Sequence, residues 1–376
     1  MNAASSGQQI VVCSGTYIEQ VQITKSVEIS AIGAVTVQLP AAPADATTSC
    51  DKALNAGSPG GQHDQDAISV CGDVRVSLTG ITVDAAWAAG TCYDALYGIA
   101  VEGGATLRFT KSEIVAAGAV PVNGCQGGVG IIAGDSQASP TQTGHLLLTD
   151  STVSGYQKNG IVIDGAGSGA TIDNAVVTGA GPTPQIAQNG IQVGDGAGAS
   201  IQNSAISGDE CDVTSACGPD TLTQTQSAAI LVFATDAPVN VTGCKLSGND
   251  IGVYYEADPG QPAPVSPTTV IDASRFDGDR YESVVLDQGA ALVNASEMSG
   301  GSIGLEALQY SGQTFGTHSM ATADVITNMS TATVDVLSDQ TAGDEPGVLV
   351  VAGSRVRPGQ ILNNSSNVKM LLLADS

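Results

Sequence analysis

Glu102, Asp164, Glu256 and Asp287 hold the same place, the fifth, in a strand motif that recurs along the chain. Asp135 and Asp195 follow glycines at that place in two further copies. If the copies stack, these side chains form an acidic column on the outer face of a sheet. Carboxylates on adjacent strands then stand about 5 Å apart, near the separation used by retaining glycosidases; two strands apart approaches the inverting distance. Like charges at that spacing raise one proton affinity and make an acid and a base from identical groups.

The densest grouping puts Glu256 and Asp287 with Tyr254, Arg280 and Tyr281. Glu256, Asp287, Tyr254 and Arg280 are therefore the expected catalytic set, with Asp164, Gln192, Tyr281 and Glu306 expected to contact substrate. Oxygen-rich columns suit Ca²⁺ equally well, so a calcium ion is an alternative occupant. The plain structural reading is an acidic ladder that keeps the sheet soluble and blocks lateral strand pairing.

Other candidates carry less. His63, His145 and His318 are scattered over separate segments. Lys158 and Arg108 have the chemistry of a proton abstractor for a lyase, but nothing pairs them with a metal site. Arg355-Val-Arg-Pro-Gly only superficially echoes the arginine motif of pectate lyases. The Asn-Thr-Asp and Gly-His-Gly motifs of polygalacturonases and the Asp-Pro-His of mannuronan epimerases are missing. The sequons at Asn240, Asn294, Asn328 and Asn364 suit stacked turns in their own right.

The elements that position these residues come from two interleaved repeats. One reads Gly98-Ile-Ala-Val, Gly130-Ile-Ile-Ala, Gly160-Ile-Val-Ile, Gly190-Ile-Gln-Val, Ala229-Ile-Leu-Val, Gly252-Val-Tyr-Tyr, Ser283-Val-Val-Leu and Gly304-Leu-Glu-Ala, with starts 21 to 39 residues apart. The other is a ten-residue block such as Leu146-Leu-Leu-Thr-Asp-Ser-Thr-Val-Ser-Gly. Alternation turns the second and fourth positions of the first repeat inward, and the third and eighth of the second. The sixth position of the second is small (Ser112, Ser151, Ala175, Ser204, Cys244, Ser274, Ser296) and is expected to form an internal ladder at a bend.

Repeats of this size mean solenoids or propellers, and a propeller needs about four strands per repeat of 40 or more residues. The expected fold is all-β: a single-stranded right-handed parallel β-helix, a three-sheet solenoid of about nine or ten coils. It forms one domain over 1–376, with insertions near 40–66, 134–144, 208–227 and 257–268 and a C-terminal cap near 360–376. Forty-seven glycines with four Phe and one Trp agree with a narrow, aliphatic interior.

A net charge of −25, from 37 acidic and 12 basic residues, argues against nucleic acid and anionic membrane surfaces as partners. No apolar run is long enough to span a bilayer. Eight cysteines without a Cys-x-x-Cys pair read as disulfides or buried thiols, and hence as an exported, secreted or cell-surface chain. The opening Met1–Gly7 has neither basic flank nor apolar stretch, so the leader that export implies is expected outside this sequence. Expected disulfides are Cys13–Cys71, Cys92–Cys125 and Cys211–Cys217, with Cys244 a buried thiol and Cys50 unmatched.

Gly7-Gln-Gln-Ile-Val-Val-Cys-Ser-Gly-Thr-Tyr-Ile-Glu-Gln resembles the first coil of pectinesterases and of NosD-like β-helix proteins. Lys158-Asn-Gly-Ile-Val-Ile and Gln188-Asn-Gly-Ile-Gln-Val are similar to the body of exported β-helix proteins of the pectin-lyase-like, carbohydrate-binding and sugar-hydrolase type. The resemblance spans 7 to about 310 and implies the fold and a polysaccharide or cell-surface glycan as partner. It assigns no catalytic residue. Two functions follow as expectations: a polysaccharide lyase, hydrolase or epimerase working along the acidic sheet, or a glycan- or cell-wall-binding scaffold without turnover.

Overall fold

The computed structural model describes residues 4–44, 50, 65–93, 95–138, 141–235, 237–256, 267–287, 289–309, 318–338, 348–355, 361–363 and 369–373. Among these, every regular element is a β-strand and no helix is long and apolar enough to cross a membrane. Much of the expected insertions at 40–66 and 257–268, and His63, lie outside the described residues. The chain divides into two compact units, residues 1–180 with 190–199, and residues 181–189 with 200–376.

In the first unit the Gly-Ile strands Tyr97–Glu102, Val129–Ala133 and Asn159–Asp164 pair in parallel, with Ile99, Ile131 and Ile161 in one row and Val101, Ala133 and Ile163 in another. All six are fully buried, so the expected inward positions hold. The glycine that opens each strand has a steric cause. A Cβ at Gly98, Gly130 or Gly160 would come 2.5 Å from the carbonyl oxygen of the glycine in the next coil, Gly130, Gly160 or Gly190. Only a hydrogen there lets the coils close to sheet spacing.

The ten-residue blocks form two further strand faces joined at a bend. Leu107, Leu146 and Ala170 share a row, as do Phe109, Leu148 and Ile172, and past the bend Ile114, Val153 and Val177. The fifth residue of each block makes the bend by taking positive φ: 49° at Lys111, 50° at Asp150 and 52° at Asn174. The sixth side chain then turns inward and is small because the corner is tight. Ser151 Oγ accepts the backbone N–H of Ser112 at 3.2 Å, so the ladder also satisfies backbone donors freed at the corner.

The N-terminal coil differs from expectation. Gln8–Ile18 pairs with Val27–Gln38, which pairs with Arg75–Asp84, so these strands belong to the block faces. The partner of Ile68–Cys71 on the Gly-Ile face is Val21–Ile23. Ile10-Val-Val is therefore not a copy of the Gly-Ile strand, and Cys13 does not stack on Cys71. Cys71 is bonded to Cys50, with Cα atoms 6.0 Å apart, and Cys13 is an exposed thiol. Cys92–Cys125 forms as expected.

The second unit repeats the scheme. Its Gly-Ile face comprises Ala228–Phe233, Ile251–Glu256, Glu282–Asp287, Ile303–Gln309, Ala332–Ser338 and Ile361–Asn363, all parallel. Its corner ladder runs through Cys244, Ser274, Ser296 and Asp324, each accepting or donating across one coil. Cys244 is the expected buried thiol, and Cys211–Cys217 is bonded. The Gly-Ile face numbers six strands in each unit among the described residues, more than the nine or ten coils expected. Val21–Ile23, Ala332–Ser338 and Ile361–Asn363 lack the Gly-Ile signature that marks the others. Within the expected cap, Lys369–Leu373 still pairs in parallel with Val348–Ala352.

Candidate functional site

Register in the second unit lays out three outward rows. Ala228, Ile251, Glu282, Ile303 and Ala332 form the first; Leu231, Tyr254, Val285, Glu306 and Asp335 the second; Phe233, Glu256, Asp287 and Leu308 the third. The sheet thus carries five acidic side chains and no basic one on these rows. Ala228, Ile251, Val285 and Leu308 pack together beside them, with Leu222, Leu231 and Tyr254 at the margin.

Four of these carboxylates are covered, and Glu256 is half-buried. Glu282, Glu306 and Asp287 are each 1% exposed and Asp335 5%. The cover includes the loop 212–226, which spans the way from Ala205–Cys211 to Ala228–Phe233. Its tip lies on the sheet: Thr221 Oγ1 donates to Glu306 Oε2 at 2.7 Å, and Leu222 joins the apolar cluster.

The loop is held at its stem by one buried carboxylate. Asp250 Oδ2 accepts the backbone N–H groups of Cys211 and Ser227, both at 2.9 Å, and so ties the two ends together. Arg280 pairs with Asp250 and Asp212 at 2.5 Å each and donates to the Cys211 carbonyl at 2.6 Å. Its guanidinium stacks 4.6 Å over the Tyr281 ring. The Cys211–Cys217 bond stiffens the same stem.

Burial without basic neighbours raises proton affinity. Glu282 is pushed up to about 10, first by burial and then by Glu306, Asp250 and Asp335. Neither of its oxygens has a hydrogen-bond partner among the described residues. Glu306 is pushed up to about 7 by burial, with the Thr221 hydrogen bond pulling down and Asp335 and Asp220 pushing up. Asp335, register neighbour of Glu306, is raised by burial against the opposing Val336 N–H, which it accepts at 2.8 Å. At neutral pH Glu282 is a neutral acid and Glu306 is poised to give or take a proton, while Asp335 beside it is raised by burial and held by a backbone N–H.

The residues singled out by sequence are distributed as follows. Tyr254 donates to Asp287 at 3.1 Å, and Glu256 is the register neighbour of Asp287, its affinity raised by burial. Glu306 stands one row over. Arg280 and Tyr281 spend their contacts on the loop stem. In the first unit, Gln192 is half-buried on its strand. Asp164 there accepts the Ser136 N–H at 2.7 Å, and Ser136 Oγ bonds Asp195 at 3.2 Å. Burial and Asp195 push Asp164 up to about 6. Asp135 caps the N–H groups of Gln137 and Ala138, so these carboxylates serve turns.

Glu282, Asp335, Thr221 and Asp250 had no place in the sequence reading. Glu282 sits one step before the motif positions that were tracked, and Asp335 lies beyond residue 310, where the repeat blurs. Among the described residues, no group of three or more His, Cys, Asp or Glu is placed to hold a metal ion.

Comparison with known proteins bears on the fold. Residues 139–315 match the family model of the right handed beta helix region. The fold is a right-handed parallel β-helix. The periplasmic alginate epimerase AlgG superposes with a TM-score of 0.55 at 10% identity, over 99% of this chain and 79% of that one. The catalytic domain of a GH87 α-1,3-glucanase bound to nigerose gives 0.56 at 11% identity, over 96% of this β-helix and 63% of that chain. At such identities the likeness is one of fold. No curated protein sequence matches the chain.

Proposed function

We propose that the chain is an exported polysaccharide hydrolase whose active site is the loop-covered carboxylate cluster of the second unit. The observation that carries this reading is the register pairing of Glu306 with Asp335, both buried, the first accepting the Thr221 hydroxyl and the second the Val336 N–H. Adjacent parallel strands hold such a pair about 5 Å apart, the retaining arrangement. Glu306 donates its proton to the leaving glycosidic oxygen while Asp335 attacks the anomeric carbon and forms a glycosyl ester. Water then breaks the ester, giving its proton back to Glu306 and releasing Asp335. Tyr254 and Leu231 offer the apolar floor a sugar ring packs on, and lifting of Thr221 admits the chain.

The β-helix fold supports the choice of polymer, since the superposed epimerase and glucanase act on alginate and α-1,3-glucan. Three disulfides support an oxidising, exported setting. A lyase is less well supported, because Arg280, which pairs with the neighbouring Asp250, is held by Asp212 and Asp250.

The test is release of reducing ends from a panel of neutral, amino-sugar and uronate glycans. Expected are turnover without unsaturated product, retention at the anomeric centre, and a loss of about 10³-fold in Glu306→Gln. Binding without any product would instead point to a glycan-binding scaffold.

A further inference from the structure

The hydrolase reading leaves Glu282 unused, and its environment is hard to explain by folding alone. It is 1% exposed, has no hydrogen-bond partner for either oxygen among the described residues, and belongs to a face with no basic side chain. A buried acceptor normally finds a donor within the fold. Here the groups that bear on it are Glu306 and Asp335 from the two following strands, and Asp250, which is already occupied by Arg280 and two backbone N–H groups. Everything around Glu282 calls for a donor that is positively charged and comes from outside.

We propose that Glu282 is the subsite for a primary ammonium, so that the polysaccharide taken by this β-helix is a cationic one built of amino sugars. The inference rests on the second-unit site proposed above and names its substrate class. An ammonium has three donors and no acceptor, which matches a carboxyl whose charged neighbours are all carboxyls. Uronate polymers would bring further carboxyl groups to a face whose ionisable side chains are all acidic. An N-acetyl group lacks the charge that would offset desolvating Glu282. In the empty site Glu282 holds a proton. On binding, the ammonium stays protonated, the Glu282 proton leaves to solvent, and a carboxylate–ammonium pair remains.

Calorimetric titration of the full chain at pH 7 tests this, in two buffers of different ionisation enthalpy. The titrants are a glucosamine oligosaccharide, its N-acetylated counterpart and spermidine. The glucosamine oligomer is expected to bind at least about tenfold more tightly than the acetylated one, with net proton release. In Glu282→Gln both the preference and the release disappear. Gln mimics the neutral acid, so folding is expected to survive; Glu282→Met, checked by circular dichroism, provides a second variant.

Equal affinity for the two oligomers, or a preference that persists in both variants, would overturn the subsite. Spermidine binding as tightly as the glucosamine oligomer would overturn the sugar assignment. Failures of the two readings separate cleanly. Hydrolysis of neutral glycans with no ammonium preference removes the subsite alone, and a proton-linked preference without products removes the hydrolase alone.

Discussion

Glu282, Glu306 and Asp335 are chemically near-identical groups given different jobs by what surrounds them. Burial raises all three, but Thr221 and the Val336 N–H pull two of them back, and nothing pulls back Glu282. The same shifts bear on stability. A carboxyl whose affinity is higher in the folded chain contributes most when both states are protonated, and that contribution is lost as pH rises toward the folded value. Glu306 and Asp279 are pushed up to about 7 and Asp324 to about 6, from ordinary values near 4. The contribution of these groups to the melting temperature is therefore expected to be greatest at about pH 4 and to fall by roughly 5 °C or more by pH 8, the loss lying between about pH 4 and pH 7. Thermal denaturation across that range checks the sign. Glu282→Gln should flatten the decline that continues above pH 8, toward which the group raised to about 10 contributes.

At the scale of elements, the corner ladder and the loop stem are the two devices that fix positions. Ser274 Oγ accepts the Cys244 N–H at 3.2 Å inside the corner. Ser274→Ala leaves that donor buried without its acceptor and is expected to cost about 1–2 kcal/mol in denaturant unfolding. Arg280→Met strips the charge partner from fully buried Asp250 and frees the loop ends. It should make 212–226 the first site of limited proteolysis while leaving the strands protected. Much of this architecture is legible in sequence because coil stacking forces it. The glycine opening each Gly-Ile strand, the inward Ile and Val, and the small sixth position all answer to sterics between neighbouring coils. The first coil is not, since Ile10-Val-Val and Val21-Gln-Ile are both apolar, alternating triplets and only register separates them. That ambiguity misplaced Cys13. The acidic column was visible, and Glu306 with it. Thr221 and Asp250 were not, because loop docking leaves no period to read.

For the molecule as a whole, a charge of −25 with an acidic working face sets what can approach. Oligouronates should show no binding at low salt. Affinity for cationic oligosaccharides should weaken as salt is added, about tenfold between 50 mM and 500 mM, measurable by calorimetry. The whole account turns on coil register bringing Glu282, Glu306 and Asp335 together beneath a loop that keeps water from equalising them. Infrared difference spectroscopy between the native chain and Glu282→Gln at pH 8 tests that most directly. A protonated-carboxyl C=O band present in the native chain and absent from the variant is the predicted result; identical spectra, with every carboxyl ionised at that pH, would contradict it.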